Sequence, residues 1–224
     1  MRCTCLIPFY NERDRIVHVL DQVVKIPAID EIICVDDGST DGTSEVIKKK
    51  HPTIAILRNA QNVGKTGAIK AGVRQAKGEY VLLLDADLQN IQYQEIETAL
   101  HKTFAQKNIT MVVLRRMNAP LFVKIVRGDI LVSGERLIKK DILKKILQSN
   151  LKNYQVEFAT NQYMLDNKKN VYWMPSSAQN TFKFTKIGFM KGWYEMITAM
   201  VDCISYVGTK NYVKQVIFFC RKAL

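Results

Sequence analysis

Two aspartates stand two residues apart at the end of an apolar run, in Tyr80-Val-Leu-Leu-Leu-Asp-Ala-Asp-Leu-Gln89. If the chain turns there, Asp85 and Asp87 can reach one ion, and Gln89 adds a side-chain carbonyl. Hard oxygen donors suit Mg2+ or Mn2+, whose sites typically combine one or two carboxylates with phosphate oxygens of a substrate. The same pair also fits a solvated turn in which Asp85 caps the helix expected from residue 92. Three more polar clusters follow apolar runs: Pro8-Phe-Tyr-Asn-Glu12, Asp36-Asp-Gly-Ser-Thr-Asp-Gly-Thr43 and Asn59-Ala-Gln-Asn-Val-Gly-Lys-Thr66. In the second, Asp41 or Thr43 reads as a helix cap within a turn. That leaves Asp36 and Asp37, adjacent carboxylates at a strand end, where one can accept the ring N–H of a uracil or guanine base. In the third, Val63-Gly-Lys-Thr66 is not a phosphate loop, because Asn59 stands where that loop needs glycine. Lys65 is still placed at a helix start, where phosphate binds well.

These clusters need elements that bring them together. Apolar runs of strand type cover residues 3–7, 31–35, 53–57, 80–84 and 110–114, and helical spacing covers 12–24, 43–50, 64–77 and 92–105. In the first helix, for example, Ile16, Val19, Leu20 and Val23 share one face. Alternating strands and helices with short connectors predict an α/β fold, a mostly parallel sheet flanked by helices. Ligands of such sheets gather beyond the carboxyl ends of the strands, where all four clusters would lie. Further on, residues 131–136 read as a strand or turn leading into a basic helix at 137–147. A helix over 154–165 and a strand at 171–174 ended by Pro175 follow. The tail carries two amphipathic helices. In one, Trp193, Met196, Ile197, Met200, Val201 and Ile204 fall at helical spacing; the other spans 212–219 with Lys210, Lys214, Arg221 and Lys222 around it.

The 224 residues are 47% hydrophobic and 24% charged, enough for a real core, with a formal charge of +12 that suggests an anionic partner. Nucleic acid is not that partner by this reading, since the basic residues are scattered and form no recognised binding motif. Cysteines at 3, 5, 34, 203 and 220 lack metal or redox spacing and read as reduced packing residues. His18, His51 and His101 read as surface or core residues. No secretory start is seen, and no apolar run reaches the roughly 18 residues of a spanning helix. The expected location is cytoplasmic, with contact at the cytoplasmic membrane face through the basic amphipathic tail, or through a membrane partner. Packing of those helices on the α/β domain, or in a homo-oligomer, is the other use open to them.

Taken together, Ile7-Pro-Phe-Tyr-Asn-Glu12, Val35-Asp-Asp-Gly-Ser-Thr-Asp-Gly-Thr43, Asn62-Val-Gly-Lys-Thr-Gly-Ala68 and Leu84-Asp-Ala-Asp87 resemble the motifs of family 2 glycosyltransferases of the GT-A fold. Ser133-Gly-Glu-Arg136 extends the resemblance more weakly to about residue 175. Within that family, Asp-Ala-Asp-Leu-Gln and the Asn-x-Gly-Lys run are most similar to the polyprenyl- or dolichyl-phosphate mannosyl- and glucosyltransferases. The resemblance implies a GT-A domain over 1–178, with a nucleotide-binding half of about 1–115 and an acceptor half of about 116–178, followed by the helical tail at 179–224. It implies a UDP- or GDP-hexose donor, Mg2+ or Mn2+, inversion at the anomeric carbon and a lipid-phosphate or saccharide acceptor. Pro8, Tyr10 and Glu12 would line the nucleotide pocket, and Asp36 and Asp37 would contact base or ribose. Asp85, Asp87 and Gln89 would form the metal site. Arg136 would sit near the diphosphate or the acceptor phosphate.

A sugar hydroxyl acceptor requires a general base. A lipid phosphate, with a second pKa of about 6, is ionised already. Relatives that use hydroxyls carry a Glu-Asp pair after the Ser-Gly segment, and this chain has none there. Glu157 is the first candidate base and Asp129 the second.

Overall fold

The computed structural model describes residues 1–106, 108–180 and 189–224. The first strand, β1 (Cys3–Phe9), shows how the fold is specified. Its alternate residues face opposite ways, as the period of a strand requires. Cys3, Cys5, Ile7 and Phe9 enter one apolar core, and Leu6 enters another on the opposite face of the sheet. Both cores are then closed by helices. On the first face, α1 (Ile16–Val23) contributes Ile16, Val19, Leu20 and Val23. Here also lie α2 (Thr43–Lys50) and α4 (Tyr93–Ala105). On the second face, α3 (Gly64–Gln75) buries Ala68, Ile69 and Val73. All five cysteines are buried free thiols. Burial pushes the Cys3 and Cys34 thiols up to about 12.

β2 (Glu31–Asp36) and β3 (Ala55–Arg58) run parallel to β1 on one side, and β4 (Tyr80–Leu83) runs parallel to it on the other. The chain therefore reverses its direction of travel across the sheet between β1 and β4. Such a switch point opens a crevice at the carboxyl ends of the strands. Pro8 contributes to that opening. It pairs in register with Val35 of β2, whereas the β4 pairing has already ended at Leu6 and Leu83.

Beyond β4 the sheet departs from the sequence-based expectation. Residues 137–139, expected as the start of a helix, belong to the strand β7 (Arg136–Lys139), and the helix α7 begins only at Lys140 (Lys140–Ile146). Leu137 and Ile138 fall into opposite cores, so the local period is two, and burial between two strands overrides helical propensity. β7 is antiparallel both to β4 and to β6 (Met111–Arg116), making the sheet mixed. β8 (Val171–Ser176) pairs parallel with β6 and runs through Pro175. Its other neighbour, β10 (Lys222–Ala223), reaches only Tyr172 and Trp173, so no strand on that side requires the missing N–H. The order across the sheet is β10-β8-β6-β7-β4-β1-β2-β3, with β5 (Leu88–Gln89) and β9 (Gln179–Asn180) as a small separate ladder.

α8 (Gln155–Asp166) covers the β7 side, and the tail helices α9 (Phe189–Val207) and α10 (Thr209–Phe218) pack on it. Phe158, Cys203 and Val207 form that contact, with Met200 and Tyr212 at its margin. Gln155 donates to Asp202, and Arg127 donates to the carbonyls of Val216, Phe219 and Cys220 at the end of α10. The tail is thus docked on the domain, but α9 is apolar on its outer face too. Met190, Tyr194, Ile197 and Val201 recur at helical spacing and are all exposed. The side chains of Trp193 and Met196 lie outside the described residues. No described helix is long and apolar enough to cross a membrane.

Candidate active site

The crevice between β1 and β4 holds a charged cluster. Asp85 follows β4, Lys65 is the second residue of α3, and Glu157 lies in the first turn of α8. Three segments far apart in sequence converge on one ammonium. Lys65 Nζ stands 2.7 Å from Asp85 Oδ1 and 2.9 Å from Glu157 Oε1. Burial alone would lower the Lys65 pKa, but the two carboxylates outweigh it and hold the pKa well above the usual lysine range. The turn at Gly134 closes the cluster from below. A methyl group there would displace the ends of the charged side chains: its Cβ would lie 2.7 Å from Asp85 Oδ2 and 2.8 Å from Lys65 Nζ.

Glu135 and Ser133, on either side of Gly134, add a second feature. Ser133 Oγ stands 2.9 Å from the Leu114 carbonyl and 2.6 Å from Glu135 Oε2. A hydroxyl has one proton, and a carbonyl can only accept. It therefore bonds one of the two at a time, and the shorter contact is its donation to Glu135. Burial raises the Glu135 pKa and outweighs Arg116, which lowers it; nearby Asp85 raises it further, and the Ser133 hydroxyl bond and Lys65 offset part of the rise. Glu135 is thus a buried carboxyl group with a raised pKa beside the charged cluster. Nothing along the sequence singles out Glu135 within Ser133-Gly-Glu-Arg136, because its role depends on burial.

Arg136 itself is a correction. Its guanidinium turns into the core at 2% exposure. Nε donates to Ser133 O at 2.7 Å, Nη1 to Asn161 Oδ1 at 2.8 Å and Glu157 O at 3.2 Å, and Nη2 to Leu131 O at 2.9 Å. These bonds fasten α8 and the 131–133 turn to β7, and no face is left for a phosphate. Asp129, the second candidate base, is buried and paired with Arg115 Nε. Glu157 does line the crevice. Among the described residues, its buried Oε2 has no hydrogen-bond partner.

Asp36, at the end of β2, is also corrected. It is fully buried, and its oxygens accept from Ser39 N at 2.7 Å and from Ser44 Oγ. It builds the turn and the start of α2 and does not face a ligand. Asp37 takes Asn59 Nδ2, Val63 N and Gly64 N, thereby fixing the loop that presents Lys65. Gly64 enters α3 with φ +80°, a left-handed conformation that glycine adopts freely. Three donors leave the Asp37 carboxylate room for one more. Tyr10 is exposed beyond β1, and Glu12 pairs with Arg15 at the same rim. Pro8 is the second-last residue of β1 beneath them.

For a divalent ion the donor chemistry fits, with a condition. Asp85 and Asp87 are partly exposed at the end of β4, and Gln89 is exposed in β5, opposite Gln179. Among the described residues, no three His, Cys, Asp or Glu side chains stand close enough to hold an ion unaided. Two carboxylates and an amide are the donor set of a site that phosphate oxygens complete.

Comparison with known proteins bears on this geometry. The model of the family described as "Glycosyl transferase family 2" matches residues 4–169. The chain belongs to that family. A dolichyl-phosphate beta-glucosyltransferase of Trichomonas vaginalis is 40% identical over 96 residues, 38% of this chain and 28% of that protein. An undecaprenyl-phosphate 4-deoxy-4-formamido-L-arabinose transferase of Photorhabdus laumondii is 28% identical over 233 residues, 93% of this chain and 68% of that one. The first relatives, in Trichomonas and Dictyostelium discoideum, are matched over only 28% and 35% of their length. Among solved structures, glucosyl-3-phosphoglycerate synthase from Mycobacterium tuberculosis superposes with a TM-score of 0.67 at 19% identity. It covers 90% of this chain and 78% of its own, and was crystallised with Mn2+, UDP and phosphoglyceric acid. That likeness establishes the GT-A fold of this family 2 member.

Proposed function

We propose that the chain is an inverting, metal-dependent glycosyltransferase that moves a hexose from UDP- or GDP-sugar onto a lipid phosphate of the polyprenyl type. The observation that carries the reading is the pairing of Asp85 and Asp87 at the switch-point crevice with Lys65 at the start of α3. Two carboxylates and an amide would hold Mg2+ or Mn2+, which supplies positive charge for the departing diphosphate. Lys65 and the N-terminus of α3 add to that charge. Asp37 has capacity to meet the base or ribose, with Tyr10 and Glu12 at the rim.

Two observations support a phosphate acceptor. Relatives carry dolichyl- and undecaprenyl-phosphate transferase names. The candidate base Glu157 has one oxygen engaged by the Lys65 ammonium at 2.9 Å, so that oxygen is not open to a hydroxyl proton. A lipid phosphate needs no deprotonation near neutral pH. The exposed apolar face of α9 would rest at the membrane surface, next to the exposed Lys191. A second reading, transfer to a sugar hydroxyl, draws on one observation, the unpartnered Oε2 of Glu157, which could accept the hydroxyl proton.

A thermal-shift panel of UDP- and GDP-hexoses with and without Mn2+ tests the donor half. One donor should stabilise the protein in a metal-dependent way, and Asp87→Asn should lose that effect. If no donor stabilises it, the domain is a scaffold of glycosyltransferase descent. Transfer to polyprenyl phosphate by Glu157→Gln at the wild-type rate would remove the hydroxyl reading. Failure to float with anionic liposomes would remove the membrane contact.

A further inference from the structure

Lys65 is clamped in the resting protein. Its ammonium lies between Asp85 and Glu157, and the Gly134 turn leaves it no slack on the third side. The side chains of Lys65, Asp85 and Glu157 are 18%, 17% and 6% exposed, so solvent screens the cluster only partly. A divalent ion on Asp85 would stand a few ångströms from this ammonium. At that distance, and at the effective dielectric of such a site, repulsion between them exceeds thermal energy several-fold. The ion and the ammonium therefore compete for one carboxylate. A diphosphate changes the balance, because it offers the ammonium anionic oxygens and the ion additional ligands.

We infer that Lys65 is a resident counter-ion that keeps Asp85 from holding a divalent ion alone and releases it only when the nucleoside diphosphate arrives. This rests on the donor reading given above, and it adds an order to it: metal capture is conditional on the donor. Lys65 acts here as a positioning residue. Glu157 serves as its second anchor, keeping the ammonium beside Asp85 and within reach of the incoming phosphates. The unpartnered Oε2 of Glu157 fits that role, since only one of its oxygens is engaged.

Lys65→Met gives effects of opposite sign on the two ligands, which general damage to the fold would not. Mn2+ alone, titrated calorimetrically, should bind at least roughly tenfold tighter than in wild type. UDP or GDP in EDTA should bind more weakly. Lys65→Arg, which keeps the charge, should leave Mn2+ alone weak. If Lys65→Met does not fold, the wild-type protein labelled with 15N-lysine decides the matter. The Lys65 ammonium resonance should persist unchanged in millimolar Mg2+ and move only when UDP or GDP is added with it. Mn2+ affinity unchanged within about twofold in Lys65→Met, or an ammonium resonance that Mg2+ alone displaces, overturns the inference. Wild-type protein that binds no nucleotide, with or without metal, instead overturns the donor reading beneath it.

Discussion

Replacing Arg136 by methionine separates a structural arginine from a ligand-binding one. The guanidinium serves four acceptors. Two of these keep a donor after substitution. Leu131 O still accepts from Asn161 Nδ2 at 3.0 Å, and Glu157 O lies within α8, where the helix supplies an amide. Ser133 O and Asn161 Oδ1 are left without one. An orphaned buried acceptor costs about 1–3 kcal/mol, so the pair costs about 2–6 kcal/mol. Removing a charge that was costly to bury offsets part of this. A net loss of about 3 kcal/mol is expected, which for a chain of this size lowers Tm by about 6–12 °C. Differential scanning calorimetry measures the loss, and donor titration below the new Tm measures the site. Donor affinity should stay within about threefold of wild type, because no Arg136 nitrogen faces the crevice. A variant whose Tm falls by less than about 2 °C while donor binding vanishes would refute the argument.

Asp36→Ala strips Ser39 N and Ser44 Oγ of their shared acceptor and should cost about 2–4 kcal/mol in chemical unfolding, with donor affinity in the surviving folded protein little changed. Gly134→Ala forces a methyl group against Asp85 and Lys65. It should destabilise by about 1–3 kcal/mol and weaken metal-dependent donor binding as well, both readable in one thermal-shift titration. Glu135 gives a pH dependence of defined sign. Its folded pKa lies above the ordinary 4.5, so between 4.5 and the raised value the folded state holds a proton that the unfolded state has lost. Stability should therefore fall as pH rises through that window, and Glu135→Gln should flatten the fall; an unchanged slope in urea titrations would place the proton elsewhere.

The donor side of the fold was legible because each level of the sequence agreed. Strands 1 to 4 are short apolar runs and helices 1 to 4 show helical spacing, and the strand ends carry the polar clusters. The structure brings Asp85, Lys65 and Glu157 together, but only Asp85 and Lys65 belong to motifs readable along the chain. Glu157 arrives by way of α8, nearly 100 residues later. What sequence could not provide was side-chain direction. Asp36 and Asp37 are neighbours in one motif, yet the first is consumed by its own turn. Arg136 lies one position beyond Glu135, and in a strand that single step decides which of the two faces the cluster. The error at 137–139 has the same origin: Leu-Ile-Lys-Lys reads as helix until two flanking strands are known.

The strand β7 has a further consequence. It enters the sheet from the later part of the chain and wedges between β4 and β6, so it hydrogen-bonds to a segment about 60 residues earlier. Opening β7 would unzip two ladders at once and expose the edge of the strand that ends at Asp85. Amide protons of β4, β6 and β7 should therefore exchange as one cooperative unit, while the β5 and β9 pairing exchanges independently and sooner. The acidic end of β4 is then only as long-lived as β7 beside it. Substitutions that loosen residues 136–139 would shorten the lifetime of the charged crevice without touching any group in it.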